Sequence, residues 1–164
     1  MTARFSQREV AVPCLLITAG ASYQGDAASN YHSLTESINA ADRTFLAMTN
    51  VKIRSFSQGE VTEDEAASVL VRKDEVLVAL SKGEEAEELT SARTMMGDRP
   101  YHVIAKAGPV AVKGVLRWPL GTSLQEYLVT AAWQFIPLTD VVLMDENPAV
   151  GTLETGYALI NRHA

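Results

Sequence analysis

The stretch SLTESINAADRTFLAMTNVKI (residues 33–53) decides the fold, because SLQEYLVTAAWQFIPLTDVVL (residues 123–143) repeats it without a gap 90 positions later. Seven of the 21 positions are identical, where one fixed offset gives roughly one by chance. Each copy opens on Ser-x-x-Glu, Ser33 with Glu36 and Ser123 with Glu126. In this capping box the serine accepts from the third helical N–H and the glutamate reaches back to the cap. Leu34, Ile38, Ala41 and Phe45 then follow at helical spacing, as do Leu124, Leu128, Ala131 and Phe135. The spacing predicts one three-turn helix in each copy, the second ending near Pro137, whose ring disfavours helical geometry at Ile136. A Thr49-Asn50 or Thr139-Asp140 turn then leads into a strand that alternates through Val51 and Ile53, or Val141 and Leu143.

The flanks read as strands. Val10–Ala19 is an apolar run, and Tyr101–Ala107 and Ala111–Trp118 are joined by a Gly108-Pro109 turn. Ser68–Lys73 and Glu75–Ser81 read as a hairpin turning near Lys73-Asp74, and Gly156–Arg162 resembles Ser68–Lys73 at an offset of 89. The expected fold is α+β and internally duplicated. It has two mainly antiparallel β units, each with one short capped helix, packed about an approximate two-fold axis. The units span residues 1–82 and 101–164. Residues 83–100 form an acidic linker, with Glu84, Glu85, Glu87 and Glu88 suited to the start of a short helix.

With 164 residues and 47% hydrophobic content the chain has the composition of a folded globule. Residues 1–82 and 83–164 each carry ten Asp or Glu, against eight and six Lys or Arg, and the net charge is −6. Nucleic acids and anionic membranes select cationic faces, so neither is an expected partner. No apolar run approaches a membrane span and the N-terminus holds no signal core, so the reading is a soluble, cytoplasmic protein. One cysteine, Cys14, allows no internal disulfide and reads as a buried, inert thiol.

Motifs that carry chemistry are missing. Gly20 and Gly25 have P-loop spacing, but Asp26 stands where the lysine belongs. His32, His102 and His163 are scattered, so no metal site, cofactor or catalytic residue is assigned. Glu36 and Glu126 are accounted for as capping residues. The first copy carries about ten extra residues ahead of its helix, within Ala19–His32. Added loop residues are where binding groups concentrate, which makes Tyr23, Asp26, Asn30, Tyr31 and His32 the candidate ligand-binding residues. Trp133 replaces Arg43 off the apolar stripe and is the candidate interface residue.

The second copy, GVLRWPLGTSLQEYL and FIPLTDVVLMD (residues 114–128 and 135–145), resembles an uncharacterised family of small bacterial β-rich domains. The resemblance implies a folding signature and no reaction or cofactor. The leading expectation is a non-enzymatic domain pair that binds a protein partner or small ligand, with a homo-oligomer possible since two small cores gain by stacking. The rivals are an enzyme with a site in the cleft between units, and a small-barrel nucleic-acid binder using Lys106, Lys113, Arg117 and Arg162.

Overall fold

A computed structural model describes residues 9–31, 33–82, 99–118, 121–130, 133–146 and 151–164. The first hairpin pairs β1 (Val10–Thr18) with β2 (Ala21–Ser29). Helix α1 (Leu34–Asn39) leads to a longer hairpin, β3 (Phe45–Ser57) with β4 (Glu60–Arg72). A 3-10 turn (Lys73–Glu75) then delivers the chain to β5 (Val76–Ser81). The same order follows: β6 (Arg99–Ala107) with β7 (Val110–Trp118), helix α2 (Leu124–Thr130), and β8 (Phe135–Asp145) with β9 (Thr152–Asn161). All nine strands described form one antiparallel sheet in the order β4-β3-β2-β1-β5-β9-β8-β7-β6.

The expected α+β class is therefore corrected: the protein is mainly β, one continuous sheet with two short helices of six and seven residues. The expected helical stripe broke because two periods overlap in the sequence. Leu34 and Ile38 do share the buried helix face, but Ala40 is already extended (φ −61°, ψ 120°), Ala41 is exposed and Phe45 begins a strand. From there Leu46 and Met48 alternate into the core with the period of a strand, in a segment rich in β-branched and aromatic residues. The Lys73-Asp74 hairpin is also corrected. β4 lies at the edge of the sheet and β5 at its centre, and they do not pair. The acidic run of the linker lies outside the described residues, while Arg99 and Pro100 belong to β6.

The expected Thr-Asn and Thr-Asp turns are β-bulges within strands. Asn50 (φ 53°) and Asp140 (φ 50°) take the left-handed conformation that Asn and Asp tolerate. In each case the opposing strand skips a glycine: pairing shifts between Gln24 and Asp26 across from β3, and between Lys113 and Val115 across from β8. A Cβ on Gly25 would sit 2.8 Å from the Thr49 carbonyl oxygen, and one on Gly114 would sit 3.1 Å from that of Thr139. Glycine at both places lets the bulged backbone approach. Other bonds recur too. Lys73 N–H donates to Thr44 O and Arg162 N–H to Gln134 O, while Phe56 N–H donates to Gly20 O and Glu146 N–H to Pro109 O.

The halves do not meet about the expected two-fold axis. In the repeated order β6 corresponds to β1 and β9 to β4, so a two-fold would join equivalent strands. Instead β5 is flanked by the non-equivalent β1 and β9. β4 and β9 stand five places apart in an antiparallel sheet, so they run in opposite directions. The cores also sit on opposite faces. Cys14 and Leu16 point into the first, with Leu34, Ile38, Met48 and Phe135. Leu15 and Ile17, their strand neighbours, point into the second with Leu116, Leu138 and Leu143. Reversed strand direction and reversed face together describe a half-turn about an axis running across the strands, combined with a shift along it.

Candidate functional site

Both helices start on a serine cap, but among the described residues the return bond from the glutamate is made at Ser123 and not at Ser33. Ser33 Oγ accepts from Glu36 N–H at 3.2 Å, and Ser123 Oγ from Glu126 N–H at 3.1 Å, with Ser123 N–H donating to Glu126 Oε2 at 3.2 Å. Each serine cap fixes where its helix starts. In the first half the leucine after the cap is covered: Leu34 and Ile38 are 0% and 1% exposed. Part of the cover comes from the other half, through Phe135, Tyr157 and Leu159. The Asn39 side chain donates to Phe135 O (3.1 Å) and accepts from Phe135 N–H (2.9 Å), and the Thr35 and Tyr157 hydroxyls share a buried 2.6 Å hydrogen bond.

The second half has no such cover among the described residues. Leu124 and Leu128, 90 positions after Leu34 and Ile38, are 36% and 37% exposed, and Val129, which follows Asn39 by 90, is 75% exposed. Between α2 and β6 lies a groove of about 570 Å³ with Leu116, Ile136, Leu138 and Ile160 at its base and Val103 and Ile104 along one wall. Lys106 and Arg162 also line it and give it a cationic margin in an acidic protein. Arg162 Nη1 donates to Leu128 O at 3.1 Å, which ties the end of β9 to the helix. Such a surface, apolar at its base and charged at its edge, binds an apolar body beside an acidic group.

The candidate residues from the sequence lie elsewhere. Residues 21–29 form β2, paired on both sides, so the ten-residue insertion is not a loop. The first half's counterpart of Tyr101–Ala107 is β1, and the turns that enter the two helices are of similar length. Tyr23 packs against the first core, Asp26 is half-buried within the strand, and Asn30 and Tyr31 are exposed beyond it. His32 lies outside the described residues. The structure brings Asn30 and Tyr31 together at a shallow hollow with Arg43 and Phe45, and leaves Tyr23 and Asp26 out of it. Trp133 is half-buried just ahead of β8. Cys14 is fully buried. The groove residues were missed because Leu124 and Leu128 read as core in any helical pattern.

Among the described residues two titratable groups are shifted, both by burial. Desolvation lowers the Lys73 ammonium, with Asp42 opposing and Arg43 adding to the effect, and its Nζ donates to Ala40 O at 2.9 Å across the turn that ends α1. Desolvation raises the Tyr127 phenol, whose buried Oη has no hydrogen-bond partner among the described residues. Among the described residues no three His, Cys, Asp or Glu side chains gather to hold a metal. No helix described is long and apolar enough to cross a membrane. The chain matches no protein-family model, no curated protein and no solved structure.

Proposed function

We propose that the protein is a non-enzymatic, cytoplasmic binding protein that takes an apolar segment of a protein partner into the groove between α2 and β6. The observation that carries this reading is the exposure of Leu124, Leu128 and Val129 over that groove, where the matching face of α1 is sealed. A contiguous apolar groove left open beside a cationic margin marks an interaction site. A small apolar ligand is the second reading, favoured by a volume of about 570 Å³, within the ordinary range for ligand pockets. We also read the matched bulges, caps and carbonyl bonds of the halves as the trace of a duplicated bacterial β-rich domain.

The test uses 8-anilinonaphthalene-1-sulfonate, an anionic apolar probe suited to both the floor and the margin. Fluorescence titration of the wild-type chain gives saturable binding. Leu128→Glu, at a partly exposed position, weakens it by about tenfold or more, the scale of 1.4 kcal/mol, with an unchanged circular dichroism spectrum showing that the variant folds. Equal binding by the variant contradicts the groove as the site. Native mass spectrometry of protein from its own host separates the two readings: a retained small metabolite favours the second.

A further inference from the structure

We infer that the chain associates head to tail with a second copy of itself, β4 of one molecule adding to β6 of the next. This rests on the reading of the α2–β6 face as a protein-binding surface, and it names the partner. Among the described residues the sheet ends at β4 and β6, and no strand described pairs with the outer edge of either. Unpaired edges accept strands unless something blocks them.

The two edges differ in charge. β4 carries Glu60, Glu63, Asp64 and Glu65, all exposed. Arg54 engages Glu63 at 3.0 Å, and the acidic excess of the strand remains. β6 carries Lys106, which among the described residues pairs with an exposed Glu146 at 3.7 Å. An ion pair that exposed contributes little and yields readily to a better one. Each edge strand also bears an exposed apolar side chain, Leu70 on β4 (66%) and Ile104 on β6 (71%). Like charges opposed across strands repel, so β4 on β4 is disfavoured and β4 on β6 is favoured. On β4 the exposed Leu70 follows the acidic residues, while Val69 and Val71 pack into the molecule's own first core. The relation of the two halves points the same way. Their non-equivalent strands, β1 and β9, face each other across β5, so the repeat is already open-ended within one chain. A contact between unlike edges is heterologous and leaves a free edge at each end.

Sedimentation velocity of the full chain across a concentration series tests this, with two variants at exposed positions. Ile104→Asp puts a negative charge on the basic edge, and Leu70→Lys puts a positive charge on the acidic one. Wild-type chain should pass from monomer to species larger than a dimer as concentration rises, and high salt should reverse this. Each variant alone should associate at least about tenfold more weakly. Mixed one to one, they should associate more tightly than either variant alone, because the unaltered β4 of one meets the unaltered β6 of the other. Unchanged circular dichroism and thermal midpoints establish that both fold. A wild-type chain that stays monomeric at every concentration overturns the proposal, as does a mixture no better associated than either variant alone. A symmetric dimer that survives both substitutions overturns it too. A monomer that still binds the fluorescent probe through Leu128 removes the self-partner and leaves the groove standing.

Discussion

Leu34 and Leu124 are the same residue at the same step of a repeated order, each one place after a serine cap, yet one is sealed and the other is a third exposed. Their serine caps match, but Thr35 and Asn39, which bond across to Tyr157 and Phe135, are Gln125 and Val129 in the second copy. The strand context beyond each half differs too. The first half is followed across the sheet by β5, β9 and β8, which bring Phe135, Tyr157 and Leu159 under α1. Beyond β6 no further strand is described, so the corresponding face of α2 stays open. Position in the sheet, together with the cross-half bonds of Thr35 and Asn39, separates the packed helix face from the open one.

The largest way to break this comparison is a pair of truncations. Leu34→Ala should cost about 2–5 kcal/mol, the range for a buried leucine, and Leu124→Ala less than about 1 kcal/mol. Urea unfolding measures both, and equal losses would mean that α2 is as well covered as α1. Asn39→Ala should come next, at about 1–3 kcal/mol, since it strands the Phe135 N–H and carbonyl. Val129→Ala, its counterpart, should fall within about 0.5 kcal/mol of wild type. Tyr127→Phe removes a buried hydroxyl without a partner and keeps the ring. It should raise stability by up to about 1 kcal/mol, and a loss would reveal a partner for that group.

The smallest effect is in pH. The folded chain releases the Lys73 proton below the ordinary 10.5, so between the lowered value and 10.5 the unfolded chain holds more protons. Stability from this group therefore rises as pH climbs through that window. Tyr127 acts oppositely: its raised value keeps a proton that the unfolded chain loses above pH 10, so its contribution falls there. Unfolding across alkaline pH should show Lys73→Met losing the first trend and Tyr127→Phe the second. A Lys73→Met profile parallel to wild type would mean that Lys73 is solvated in the folded chain.

Much of the local structure was legible. Both serine caps form as predicted, the full box closing at Ser123 with Glu126, and the Gly108-Pro109 turn joins β6 to β7, with Gly108 at φ +57°. The helix ends were not legible, because Ala41 and Phe45 satisfy a helical spacing and Leu46 and Met48 a strand spacing in the same run. Pairing with β2 and β4 settles that competition, and no local pattern encodes it. The bulges were misread for a related reason: Asn50 and Asp140 suit a turn and a left-handed bulge equally well, and only the facing Gly25 and Gly114 distinguish them. The groove was least legible of all. Exposure of Leu124 and Leu128 depends on which strands lie past β6, a property of the whole sheet.

The central claim is that one helix face is open for binding and its counterpart is closed. Methyl-resolved NMR during titration with 8-anilinonaphthalene-1-sulfonate tests it most directly. The account predicts shifts at Val103, Ile104, Leu124 and Leu128 that saturate together, with the methyls of Leu34 and Ile38 unmoved. Shifts of equal size at both helices, or none at α2, would contradict it.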